Sequence, residues 1–211
     1  MDNEFYLKDI QSWSSEDTTT AEEMLNFLTT NKDNEVNIFI NSGGGDVAQA
    51  LQMYHAMKRH GNVNVYVDGM AASAASFVAF GGKTLKVPES SVIMIHKPST
   101  IAVGNADELR KAAEALDAVQ SSIEAIYKAN AKGGYISSMV NKETWFSGRE
   151  FAEVFECELV EDACKPKKKA ENFTPLAKRL LEIKDKTPIT EIEEEPTTKP
   201  KLNLNNTKKW K

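Results

Sequence analysis

Branched and apolar residues recur at every second position in Val36-Asn37-Ile38-Phe39-Ile40 and again in Val63-Asn64-Val65-Tyr66-Val67. That is the period of β-strands with one face turned to a core. Between them Val47, Leu51, Tyr54 and Met57 fall at helical spacing, and Gly61 marks the stop. Upstream, Glu4–Ile10 is strand-like, and Thr18-Thr19-Thr20 precedes Met24, Leu25, Phe27 and Leu28, the signature of a capped amphipathic helix. Downstream the pattern predicts a helix from Ser73 through Phe80 and strands at Thr84–Val87 and Ser91–His96. Asn105-Ala106-Asp107-Glu108 then caps a long helix toward Asn130, with Leu109, Leu116, Val119, Ile123 and Ile126 in one stripe. At about 25 residues such a helix extends roughly 37 Å. The βαβα alternation calls for an α/β fold with a parallel sheet and right-handed crossovers.

The periodicity ends near Glu158-Leu159-Val160-Glu161-Asp162. Lys165-Pro166-Lys167-Lys168-Lys169 then opens a polar, lysine-rich, proline-punctuated stretch. Leu176, Leu180, Leu181 and Ile183 can form one short amphipathic helix there, and the remainder has the composition of disordered chain. The expected division is a folded domain over 1–162 and a charged tail over 163–211.

Composition narrows the function. With 211 residues and a formal net charge of −5, the chain lacks the basic footprint of a nucleic-acid binder. No apolar run reaches the length of a membrane span, and the polar N-terminus has no signal-peptide core, so a cytoplasmic protein is expected. Cys157 and Cys164 have neither a close pair nor a histidine cluster around them and read as free thiols. His55 and His60 fall on different faces of one predicted helix, so no metal and no cofactor are expected. Gly81-Gly82-Lys83-Thr84 resembles the end of a phosphate loop, but Phe77 stands where its first glycine is required.

Three segments carry chemistry. Gly69-Met70-Ala71-Ala72-Ser73-Ala74-Ala75-Ser76 joins a strand to a helix, where a serine hydroxyl can project from a tight turn beside helix N–H groups. Asn41-Ser42-Gly43-Gly44-Gly45-Asp46 ends another strand in glycines whose N–H groups no Cβ shields. Val92-Ile93-Met94-Ile95-His96-Lys97-Pro98 places a histidine at a strand end. Serine, base and oxyanion donors are parts of a hydrolase site.

Ile40-Asn41-Ser42-Gly43-Gly44-Gly45, Gly69-Met70-Ala71-Ala72-Ser73 and Met94-Ile95-His96-Lys97-Pro98, in that order and spacing, resemble the Clp-type serine peptidases, the ClpP family. The resemblance covers roughly Phe5 to Asp162. It implies the ClpP/crotonase-like fold, layered parallel sheets with flanking helices, in which the long helix is a protruding handle between stacked heptameric rings. It implies Ser73 as nucleophile, His96 as general base, and the N–H groups of Gly45 and Ala74 as the oxyanion hole. Gly44, Val47, Ser99 and Thr100 would line an extended groove in which a polypeptide pairs as an added strand.

Three positions depart from the family pattern. Aligned on Phe146-Ser147, the third catalytic position holds Glu143 in place of aspartate; glutamate also serves in some hydrolase triads. Gly43 stands where proline is usual, which predicts a looser oxyanion turn. The N-terminus enters its first strand almost at once, and no ATPase unfoldase is expected as a partner. The short N-terminus, Glu143-Thr144-Trp145 and the charged tail look most like Clp-related proteases of phages and prophages, which implies cleavage of capsid or scaffold protein during head maturation, in host cytoplasm or procapsid. Two rival functions fit the same fold: a crotonase-like acyl-CoA enzyme, and a non-catalytic ring-forming scaffold subunit.

Overall fold

A computed structural model describes residues 3–11 and 18–161; the tail and short helix expected over 163–211 lie outside them. The chain forms β1 (Glu4–Leu7), β2 (Asp9–Ile10), β3 (Thr18–Thr19), α1 (Ala21–Thr30), β4 (Val36–Ser42), α2 (Val47–His60), β5 (Val63–Ala72) and α3 (Ala74–Val78). A 3-10 turn over Ala79–Gly81 leads to β6 (Thr84–Pro88), β7 (Val92–Ile95), α4 (Ala106–Ala129), α5 (Ile136–Asn141), β8 (Thr144–Ser147), α6 (Gly148–Val154) and β9 (Glu158–Val160). The result is mixed α/β with a mostly parallel central sheet and flanking helices.

Sheet order is β1-β4-β5-β6-β9, and β7 branches from β5 with β8 beside it. Every pairing in this sheet is parallel except β7 with β8. The core face is the one the alternation predicts: Val36, Ile38, Ile40, Val63, Val65 and Val67 are buried. On the other face Tyr6, Phe39 and Tyr66 stack across three strands at centroid distances of 5.2 and 5.0 Å.

The helix starts are chemically encoded. Thr20 accepts from the Glu23 N–H while the Glu23 carboxylate accepts from the Thr20 N–H, a reciprocal capping box. Asp46 caps α2 through Gln49 N–H at 2.8 Å, and Gly61 ends that helix in the left-handed region. Asn105 and Glu108 form the box predicted for α4.

Two elements differ from expectation in ways that shape the site. The strand beginning at Val63 runs on to Ala72 instead of ending at Val67, because Met70–Ala72 pair with Val92–Met94 of β7. Its first half pairs with β6, so β5 exchanges one neighbour for another along its length. At that exchange, β4 advances from Ile40 to Ser42 while β5 advances from Val67 to Ala71, a bulge that turns the strand end. The helix expected from Ser73 through Phe80 is shorter, α3 followed by the 3-10 turn.

The stripe on α4 also divides. Its buried residues, Ile123, Glu124, Ile126 and Tyr127, all lie in the last two turns, where Tyr127 meets Phe77, Phe80 and Phe155 edge-on or tilted. The first half is largely exposed, Leu109 included at 45%, with Ala112 and Leu116 half-buried. No helix among the described residues is long and apolar enough to cross a membrane.

Candidate active site

Strand register brings the serine and histidine segments together. In the β5–β7 ladder Ala72 lies against Met94, and the Ser73 N–H continues it by donating to the Met94 carbonyl at 2.9 Å. Ser73 and His96 therefore leave adjacent parallel strands at their carboxyl ends, where α/β sheets gather ligands. A hydrogen bond of 2.6 Å joins Ser73 Oγ to His96 Nε2.

The serine occupies a strained turn. Its φ of 54° and ψ of −124° lie outside the regions open to most side chains; such a residue costs on the order of 1–3 kcal/mol and persists where the surroundings enforce it. Here the enforcement is visible. The Ser73 carbonyl accepts from the Ser76 N–H at 3.1 Å and from Ser76 Oγ at 2.6 Å, and Ser76 Oγ also bonds Tyr127 Oη at 2.7 Å. Ser76 and Tyr127 are both buried, and burial drives the Tyr127 hydroxyl pKa well above the ordinary phenol range, with the Ser76 bond opposing it. The turn is thus tied to α4.

Opposite the serine lies the glycine loop. A Cβ on Gly44 would stand 2.7 Å from Ser73 Cβ and 2.9 Å from the Ala74 nitrogen, and one on Gly45 would fall on the Ile10 carbonyl oxygen. Both glycines have positive φ, 103° and 140°, so neither conformation nor space admits a side chain. Gly45 and Ser73 line the same cavity, of about 770 Å³. Ala74 opens α3, where a backbone N–H has no acceptor inside its own helix. Two N–H groups beside a hydroxyl hydrogen-bonded to an imidazole can receive a carbonyl oxygen and an attacking serine together.

The cavity is lined by Val47, Ser99 and Thr100, with Pro98 and Ile101 beside them, while Gly44 is not part of the lining. Two further lining residues, Leu116 and Val119, come from α4. Both belong to the apolar stripe of the sequence, but spacing alone does not separate a groove wall from a core contact. Asp46 is the charged residue of the lining.

Glu143 is adjacent in backbone but not in side chain. The antiparallel register pairs Ile95 with Thr144, so the next pair outward is His96 opposite Glu143. Glu143, exposed and with φ of 52°, turns its carboxylate to Trp145, whose Nε1–H donates at 3.3 Å. Among the described residues no hydrogen bond joins Glu143 to His96.

Gly43 differs from the loose turn expected of it. Its N–H donates to Asp9 Oδ1 at 2.6 Å, a bond that the proline usual in the family could not make. Nothing in the sequence around Asp9 announces this contact.

The Clp protease family model matches residues 5–155. Among curated proteins, the chain is 33% identical over 135 residues to the ATP-dependent Clp protease proteolytic subunit of Pleurastrum terricola, covering 60% of this chain and 68% of that one. It is 37% identical over 114 residues to the subunit of the same name from Ligilactobacillus salivarius, covering 52% of this chain and 56% of that one. A third, from Oltmannsiellopsis viridis, is 32% identical over 133 residues, covering 60% and 68%. The family match takes in all three chemistry-bearing segments and the strands that align them, and on it the chain belongs to the Clp protease family of serine peptidases.

Proposed function

We propose that this chain cleaves flexible or unfolded polypeptide by acyl transfer to Ser73, with His96 as general base. The observation that carries the reading is the 2.6 Å bond between Ser73 Oγ and His96 Nε2 at a strained strand-to-helix turn. With its proton on Nδ1, His96 takes the Ser73 proton as Oγ attacks the peptide carbonyl. It then delivers that proton to the leaving amine, and water repeats the sequence on the acyl-enzyme. The N–H groups of Gly45 and Ala74 bind the oxyanion, and loss of one such donor costs about 2.7–4 kcal/mol of barrier. Glu143 is the third member in this reading; to orient His96 its side chain rotates away from Trp145.

Val47, Ser99 and Thr100 of the groove, with Gly44 beside Ser73, form the peptide-binding edge in this reading, and the open, largely apolar groove suits an extended strand more than a folded surface. Ile101 and Val103, 95% and 96% exposed, and Leu109 on the free half of α4 suit contact with further copies of the chain. The assembly we infer is a homo-oligomeric ring, heptameric and single or stacked. The substrate reading extends to phage capsid or scaffold protein in host cytoplasm or procapsid, on the likeness of Glu143-Thr144-Trp145 and the charged tail to phage Clp-related proteases.

The test is intact-mass analysis and peptide mapping after fluorophosphonate treatment of the wild type and Ser73→Ala, alongside turnover of an unstructured fluorogenic peptide. One adduct on Ser73, with both adduct and turnover absent from the folded variant, is the expected result. Turnover retained by Ser73→Ala would overturn the assignment.

A further inference from the structure

Ser42-Gly43-Gly44-Gly45 contains three glycines in succession, the backbone with most freedom to lose on folding. Yet the proposed chemistry needs the Gly45 N–H to be aimed at one point before substrate arrives, because an oxyanion donor contributes through preorganisation. Gly44 and Gly45 have no side chains of their own by which to be held, since none fits. The holding groups come from β2 and from Ser42.

Ile10 N–H donates to the Gly44 carbonyl at 2.7 Å, and Ile10 makes an isolated parallel bridge with Gly45. One residue earlier, Asp9 Oδ1 accepts the Gly43 N–H at 2.6 Å and the Ser42 hydroxyl at 3.4 Å. Ser42 Oγ accepts in turn from the Gly44 N–H at 3.0 Å, and Ser42 is buried. One carboxylate oxygen therefore gathers the first two residues of the turn, and Ser42 passes the constraint to the third. The short bond to Gly43 is charge-assisted, the stronger class of hydrogen bond, and it depends on an N–H that proline lacks.

We propose that Asp9 is a positioning residue for the oxyanion-binding loop, its carboxylate fixing the Gly43 peptide and so the direction of the Gly44–Gly45 backbone. It replaces by a hydrogen bond the rigidity that proline supplies by its ring. This rests on the reading of Gly45 as an oxyanion donor. Asp9 touches no reacting atom; it acts through the loop. A Cβ at position 43 meets Asp9 Oδ1 at 3.4 Å and Met70 Cε at 4.0 Å, but a proline ring closes on the nitrogen whose N–H is directed at Asp9 Oδ1, so the ring has its space once the Asp9 carboxylate is removed.

The experiment uses the full chain and four variants: Asp9→Asn, Asp9→Ala, Gly43→Pro and the double variant Asp9→Ala/Gly43→Pro. Each is scored for kcat and KM on an unstructured fluorogenic peptide, with melting temperature and sedimentation to verify folding. Asp9→Ala is expected to lower kcat about tenfold with KM within twofold. Asp9→Asn, nearly isosteric and still an acceptor, should fall between it and the wild type. Gly43→Pro in the Asp9→Ala background should recover part of the lost kcat, a rescue that a merely structural role for Asp9 does not give. A kcat in folded Asp9→Ala or Asp9→Asn equal to wild type overturns the proposal, as does a loss carried by KM alone. If Asp9→Ala does not fold, the Asp9→Asn split of kcat against KM decides. Wild-type protein that takes no fluorophosphonate on Ser73 overturns the functional reading itself; normal labelling with an unchanged kcat in the Asp9 variants overturns only the clamp.

Discussion

Ser73, just past the end of β5, and Glu143, just before β8, are the non-glycine residues with positive φ among the described residues, at 54° and 52°, and the two strands they adjoin are the partners of β7, which leads into His96. Backbone strain of this kind collects where neighbouring structure enforces it. Around Ser73 the enforcing contacts are those of Ser76 and Met94; around Glu143 the structure shows the Trp145 indole holding the carboxylate. If Glu143 orients the imidazole, the Trp145 bond competes with catalysis. Glu143→Gln should then lower kcat at least tenfold with little change in KM, since the wrong His96 tautomer becomes accessible. Trp145→Phe, which removes the competing donor, should leave kcat equal to or above wild type. Steady-state kinetics on both variants checks this, and a fully active Glu143→Gln would remove Glu143 from the mechanism.

The bonded pair Ser76 and Tyr127 makes a separate prediction about stability. Ser76→Ala leaves a fully buried phenol hydroxyl without its partner, at a cost of about 1–3 kcal/mol. Tyr127→Phe costs less, about 1 kcal/mol, because Ser76 keeps its bond to the Ser73 carbonyl. The double variant should be no less stable than Ser76→Ala alone, giving a favourable coupling in a cycle measured by urea unfolding. Additive single effects would show that the 2.7 Å contact contributes nothing specific.

The sequence makes the serine, the histidine and the glycine loop legible for one reason: each ends a strand whose alternation is plain, and parallel register places strand ends side by side. What escapes it is contact made across the fold. Asp9 sits in a two-residue strand with no periodicity, and only the parallel bridge of Ile10 to Gly45 brings it to Gly43. Leu116 and Val119 share a stripe with Ile123 and Ile126, and spacing does not reveal that the stripe leaves the core halfway along α4. β5 runs past the end its alternation predicts because Gly69 reads as a turn, whereas here it lies within the bulge between Val67 and Ala71. Alignment on Phe146-Ser147 puts Glu143 at the third catalytic position, one residue beyond the Ile95–Thr144 pair; its carboxylate instead bonds Trp145, which no pattern reports.

A pH dependence follows from Glu124, a buried carboxylate joining α4 to α5. It accepts from Ser137 Oγ at 2.6 Å, Lys128 Nζ at 2.7 Å and Gln120 Nε2 at 2.8 Å. Burial pushes its pKa upward, but the bonds from Lys128, Ser137 and Gln120 and the Lys128 charge outweigh burial and hold it at about 2, against an ordinary 4.5. A folded-state pKa below the unfolded one means that ionised Glu124 stabilises the fold fully above about pH 4.5, and that this contribution is lost as pH falls toward 2. Glu124→Gln should therefore destabilise by about 1.5–3 kcal/mol at neutral pH, the range for hydrogen bonds to a charged group, and the gap to wild type should narrow as the buffer is taken below pH 4.5 and close toward pH 2. Urea unfolding of both proteins across that window measures it. A difference that stays constant with pH would mean that the carboxylate's charge is not what binds the two helices.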